Sequence, residues 1–313
     1  MSLAAAQAQK TVHLIPKDAA IKRLCFDDAT QRLRPNLVLV DRQGSVVFEI
    51  NELGLKGAAR DPARKLAVVW GDSVVFGVRW SWPCLLDELA PGYQFLNGGI
   101  EADPYHNILR RAAEFNRSHE VDLNILLLGW HTVDAAVLQR NQQQQQRPVT
   151  GLGRIAAAIR SFRQPSPPPP AAAPHPSAAA DNHRVRAALA EFLESTPNAV
   201  LVTMPTALNR DIVGQDLSPY FRAGGRDRVF YFAGDLPYSL EVQRYLFDLI
   251  SERNAIVREQ ARLTGARLVD LAAAFDTEGL ADFREDFFDV LHLRPRAYPK
   301  AAAAVYSRIR DLL

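Results

Sequence analysis

A chain of 313 residues with 48% hydrophobic side chains is long enough to bury one large core. Its 37 Lys and Arg against 35 Asp and Glu are scattered rather than gathered into a basic stripe, which argues against nucleic acid as a partner. The only cysteines, Cys25 and Cys84, have no C-x-x-C or Cys/His spacing; they read as buried free thiols and suggest neither a metal site nor a disulfide framework. No apolar run approaches the roughly 18 residues a membrane span needs. Residues 1–10 lack a basic n-region and an apolar h-region, so the expected compartment is the cytoplasm.

Along the chain, Leu37–Val40 and Ser45–Ile50 are rich in β-formers and are separated by Asp41-Arg42-Gln43-Gly44, a turn-like sequence. They predict a hairpin in an N-terminal extension, residues 1–64. From Lys65, short apolar runs alternate with helical patterns. The runs Leu66–Trp70, Gln94–Leu96, Asn124–Leu128, Ala199–Thr203 and Arg267–Val269 are continuous rather than alternating, as suits strands buried on both faces. Between and after them, Pro83–Leu89, Ile108–Asn116, Val185–Leu193, Tyr245–Leu263 and Ala301–Leu313 carry helical apolar spacing. Ser81 is placed to N-cap the first of these, with Pro83 in the first turn, where its missing N–H costs nothing. The pattern predicts an α/β domain over residues 65–313, a three-layer α/β/α sandwich around a mainly parallel five-stranded sheet.

Two stretches break the pattern. Residues 139–182 hold the five-glutamine run Gln142–Gln146 and the proline-rich Pro165–Pro176, a composition that reads as a disordered loop within one domain. Thr206–Tyr238 has aromatics and glycines without clear periodicity and reads equally as a substrate lid or as a long surface loop.

Gly71-Asp72-Ser73 follows directly on the first apolar run, which puts the serine at the carboxyl edge of the predicted sheet, where open α/β proteins bind ligands. Alone the tripeptide is a commonplace turn. Near the other end stands Asp289-Val290-Leu291-His292. A nucleophilic hydroxyl needs a base to take its proton, and that imidazole needs a carboxylate to fix its tautomer; an Asp and a His three residues apart can supply both.

The two motifs in this order resemble the SGNH (GDSL) hydrolases. Trp82-Pro83-Cys84-Leu85-Leu86 is similar to the helix after that family's nucleophile, and Asn254–Leu271 to its penultimate helix and strand. The resemblance implies a flavodoxin-like sheet order, Ser73 as nucleophile with His292 and Asp289, and an oxyanion hole from the Ser73 N–H and two further blocks. The second block is Asn97-Gly98-Gly99-Ile100-Glu101-Ala102-Asp103, with Ala102 where the family's donor glycine is expected. Its N–H survives the change provided the local φ is negative. The third, Leu128-Gly129-Trp130-His131-Thr132, puts His131 at the position of the family's asparagine. An imidazole N–H can donate to an oxyanion; the other reading is that His131 only packs at the strand end. Trp130 is placed either as a wall of the acyl pocket or as core.

Asp72 reads as structural, since the triad already has its carboxylate. The remaining histidines, His13, His106, His119, His175 and His183, show no metal-ligand spacing. Glu101 and Asp103 offer a paired-carboxylate alternative, although period-two spacing would merely place them on one strand face. The implied activity is a serine esterase acting on a carboxylester, an acetyl or short acyl ester of a small molecule or glycan, with no cofactor and no metal. Acyl transfer to another alcohol is the nearest variant, and a catalytically drifted binding protein is the rival class.

Overall fold

The computed structural model describes residues 10–13, 25–27, 29–41, 43–77, 80–129, 176–209, 213, 240–276, 285–287 and 290–313. Five short strands come first: β1 (Lys10–His13), β2 (Phe26–Asp27), β3 (Arg32–Leu33), β4 (Leu37–Val40) and β5 (Val46–Ile50). β4 and β5 form the antiparallel hairpin that the sequence predicts. In its turn, the Asp41 carboxylate accepts from the Gln43 and Ser45 amides at 3.0 and 2.9 Å, and Gly44 takes a φ of 80°. β1 adds to β4 in parallel, a pairing the sequence does not announce.

The alternating part follows as β6 (Lys65–Trp70), α1 (Ser73–Phe76), α2 (Trp82–Leu89), β7 (Tyr93–Asn97), α3 (Tyr105–Ser118) and β8 (Leu123–Leu127). After residues 130–175, which lie outside the described set, come α4 (Pro176–Ser195), β9 (Ala199–Val202), α5 (Leu240–Thr264), β10 (Arg267–Val269), α6 (Leu271–Ala274) and α7 (Tyr298–Ile309). The helix α4 begins at Pro176, so the last residues of the 139–182 segment are helical rather than loop. A proline in the first turn and three alanines at 178–180 favour that early start.

The five strands pair in the order β7-β6-β8-β9-β10, all parallel. Counted by appearance this is 2-1-3-4-5, the flavodoxin-like order. Successive side chains of β6 enter opposite layers: Ala67 and Val69 join one core with α2 and α7, while Leu66, Val68 and Trp70 join the other with α3 and α4. Both faces of the sheet are therefore covered by helices, which is why its strands read as unbroken apolar runs.

A third, smaller core belongs to the N-terminal extension. It gathers Cys25, Phe26, Leu37, Leu39, Phe48 and Ile50, and takes in Phe76 of α1 and Ile100 of the loop after β7. Cys25 is buried and Cys84 partly so, and neither is in a disulfide. Burial pushes the Cys25 thiol up to about 12. Among the described residues, no helix is long and apolar enough to cross a membrane.

Candidate active site

Ser73 stands in the turn leaving β6. Gly71 has no room for a side chain: a Cβ there would lie 2.3 Å from Val75 Cγ2 and 2.9 Å from the Leu127 carbonyl oxygen. Asp72 follows as the N-cap of α1, fully buried, its Oδ1 accepting from the Val74 amide at 2.9 Å. Its other oxygen lies against the end of β8, where a Cβ on Gly129 would come within 2.4 Å of Oδ2. Asp72 is thus a structural carboxylate that fixes the turn, as the sequence suggests.

Ser73 opens α1, partly exposed, and its N–H has no acceptor among the described residues. Its Oγ lies 2.8 Å from His292 Nε2, a contact between residues 219 positions apart. The histidine is held by its neighbours: Val290, Leu291 and Leu293 are buried in the core beneath α7. The Val290 carbonyl accepts from Thr206 Oγ1 at 2.8 Å and from the Ala207 amide at 3.0 Å, which ties the histidine loop to the segment leaving β9. His292 is itself partly exposed, so the Ser–His pair opens to solvent while its supports do not. With one ring nitrogen on a hydroxyl, the pair can pass a proton from Oγ to the imidazole and back.

The loop after β7 runs beside the Ser73 turn. Gly98 N–H donates to the Val69 carbonyl at 2.8 Å and Ile100 N–H to that of Gly71 at 3.1 Å. Ala102 is exposed, and its N–H has no acceptor among the described residues. Its φ is 54°, so the condition of a negative φ is not met; the N–H remains available, but at the cost of backbone strain. A left-handed alanine costs roughly 1–2 kcal/mol, and glycine is the residue that removes this strain.

Asp103, next to it, is not free for a paired-carboxylate site: Arg111 Nε and Nη2 donate to its Oδ2 at 3.0 and 2.5 Å, both side chains buried. Arg111 Nη1 also donates to the Gly98 carbonyl at 2.8 Å, so one guanidinium clasps both ends of the loop. Glu101 and Asp103 lie in and just after a turn, and not on a strand.

Ser81 does stand at the N-cap of α2, but its hydroxyl does not cap it. It donates instead to the Val75 carbonyl at 2.9 Å and accepts from Asn97 Nδ2 at 2.7 Å. Asn97 also donates to Val75 at 2.8 Å, while its Oδ1 accepts from Gly99 N–H. The supporting roles of Asn97 and Arg111 escape a sequence reading; the only hint for Asn97 is a polar residue closing a buried strand. Asp289, Trp130 and His131 lie outside the described residues, as do residues 139–175 and most of Thr206–Tyr238.

No protein-family model and no curated relative matches the chain. Solved structures similar to it include the lipase/acylhydrolase from Enterococcus faecalis, at 15% identity and a TM-score of 0.47, covering 79% of this chain and 96% of that one. An α/β hydrolase enzyme from the metagenome of Lake Arreo, Spain, aligns at 14% identity and a TM-score of 0.45, over 80% and 96% of the two chains. An acetylxylan esterase from Geobacillus stearothermophilus aligns at 14% identity and 0.44, over 79% and 94%.

Proposed function

We propose that the protein is a serine hydrolase of the SGNH type that cleaves a carboxylester. The observation that carries this reading is the 2.8 Å contact between Ser73 Oγ and His292 Nε2 at the carboxyl edge of a five-stranded parallel sheet. Two polar groups from opposite ends of the chain, each partly open to solvent and held by buried neighbours, have the arrangement that nucleophile activation requires.

In this reading Ser73 Oγ attacks the ester carbonyl carbon while His292 Nε2 takes the hydroxyl proton. The carbonyl oxygen, now an anion, is received by the N–H groups of Ser73 and Ala102 and by His131 as third donor. When the tetrahedral species collapses, the C–O bond to the alcohol breaks and His292 returns its proton to that alcohol. Water then attacks the acyl-enzyme carbonyl, giving a proton to His292; as the acyl C–O bond to Ser73 breaks, His292 returns that proton to Ser73 Oγ, releasing the acid and the free serine. Asp289 takes the part of the carboxylate that orients the imidazole and stabilises its charged form. The Asp289-x-x-His292 spacing supports that role.

The test is hydrolysis of short-chain p-nitrophenyl esters. Ser73→Ala should fold normally and lose about 10⁴-fold or more in kcat, because one oxygen carries the covalent step. Turnover near wild type in that variant would end the assignment.

A further inference from the structure

A one-turn helix cannot satisfy its own carbonyls. In α1 the Ser73 carbonyl accepts from Gly77 N–H at 2.9 Å, and the rest depend on side chains from elsewhere. Trp82 Nε1 serves Val74 at 3.2 Å, and Ser81 and Asn97 serve Val75. Phe76 receives Lys56 Nζ at 2.6 Å with Asn97 Nδ2 at 3.4 Å, and Gly77 receives Lys56 Nζ at 3.4 Å. All four donor residues are fully buried, and Lys56 alone carries a charge.

The lysine is fixed at both ends. Its amide donates to the Asn97 carbonyl and its carbonyl accepts from the Asn97 amide, each at 2.9 Å, which stitches the N-terminal extension to the edge strand β7. Its ammonium stands 4.4 Å from the Phe48 ring centroid and 4.6 Å from that of Phe76. Burying a cation is costly unless it is paired or hydrogen-bonded. Here it is spent on the carbonyl end of the turn whose first residue is Ser73.

We infer that Lys56 is a positioning residue for the nucleophile: its buried ammonium holds the Phe76 and Gly77 carbonyls, so that the N-terminal extension sets the orientation of Ser73 Oγ toward His292. This rests on the serine-hydrolase reading above. Lys56 does not touch the reacting atoms; it acts by keeping a 2.8 Å contact in register, and displacements below an ångström at such a contact cost rate rather than binding.

The groups facing its charge are the Cys84 thiol from α2, Cys25 from the extension and Glu101 from the loop after β7. Desolvation lowers the lysine to about 8, short of losing its proton at neutral pH. Above that point the amine still donates, but through ordinary hydrogen bonds, which are roughly half as strong as ionic ones.

The experiment compares wild type, Ser73→Ala, Lys56→Met and Lys56→Gln in the hydrolysis of p-nitrophenyl acetate across pH, with thermal melts alongside. Lys56→Met should lower kcat by about 10-fold to 100-fold with KM within about threefold. Lys56→Gln, which keeps an N–H donor, should recover part of the loss. Wild-type kcat should step down to a lower plateau on the alkaline side of about pH 8, and that step should be missing in the methionine variant. A methionine variant within about twofold of wild-type kcat, or one that changes KM alone, overturns the inference. If methionine does not melt cooperatively, the glutamine variant decides by the same limits; if neither does, Lys56 is a determinant of folding and the inference falls. Wild type inactive, or no better than Ser73→Ala, is a different failure and sinks the hydrolase reading instead.

Discussion

Removing the Asp103 carboxylate should be among the more damaging single changes at the site, although Asp103 touches no substrate in the proposed mechanism. Arg111 is 6% exposed, held by two bonds to Asp103 Oδ2 and one to the Gly98 carbonyl, with its guanidinium carbon 5.6 Å from the Trp70 ring. Asp103→Ala leaves this cation buried with a single carbonyl partner, and breaking a buried pair from one side costs about 3–5 kcal/mol. Burial already lowers the Arg111 guanidinium from its ordinary value, so the site has no margin for losing its anion. With a urea m-value of about 3 kcal/mol/M for a domain of this size, the unfolding midpoint should fall by roughly 1 to 1.7 M. Arg111→Met in the same chain replaces the stranded charge with apolar volume and should restore most of the loss, because a missing pair is tolerated where a broken one is not. The assay is urea denaturation of wild type, both single variants and the double variant at pH 7. A midpoint for Asp103→Ala within about 0.2 M of wild type, or a double variant no better than the single, would refute the reasoning.

Three other changes follow from the same geometry. Gly129→Ala puts a methyl 2.4 Å from Asp72 Oδ2, and should cost about 1–3 kcal/mol in denaturant unfolding together with a fall in kcat; unchanged values for both would mean that the turn yields freely. The ammonium of Lys56 is lowered from 10.5 to about 8, so the unfolded chain binds the extra proton between those values and wild type should gain about 3 kcal/mol relative to Lys56→Met as pH rises from 8 to 10.5. Cys25, raised from 9.0 to about 12, works in the opposite direction above pH 9 in both proteins, so guanidinium unfolding must be read as the difference between them; a flat difference contradicts the shift. His131→Ala should lower kcat about 100-fold to 1,000-fold with KM nearly unchanged, and His131→Asn should recover part of it; an alanine variant within about threefold assigns His131 to packing.

The sheet is legible because burial on both faces leaves an unbroken apolar run, and Leu66–Trp70 followed by Gly-Asp-Ser places the serine at its edge. The hairpin was legible for the opposite reason, its turn chemistry being local. What was hidden depends on partners far along the chain. β1 has four residues and is a strand only because β4 lies beside it. A single lysine between Leu55 and Gly57 reads as a solvated charge, and only the meeting of the extension with Asn97 and Phe76 buries it. Ser81 was placed at the right position for the wrong bond, since the Val75 carbonyl competes for its hydroxyl. The left-handed φ of Ala102 cannot be read from an alanine at all, because the conformation is imposed by the loop that Arg111 clasps.

The central claim is that Ser73 is an activated nucleophile, and covalent labelling tests it without a known substrate. A fluorophosphonate probe reacts with a serine only when a base takes its proton, so at neutral pH the wild-type protein should be modified at a single site. Mass spectrometry of the digested protein should place the phosphonyl group on Ser73, and His292→Ala, folded by the same melting criterion, should label at a small fraction of the wild-type rate. Modification elsewhere, no modification, or labelling of Ser73 at an undiminished rate without His292 would contradict the account.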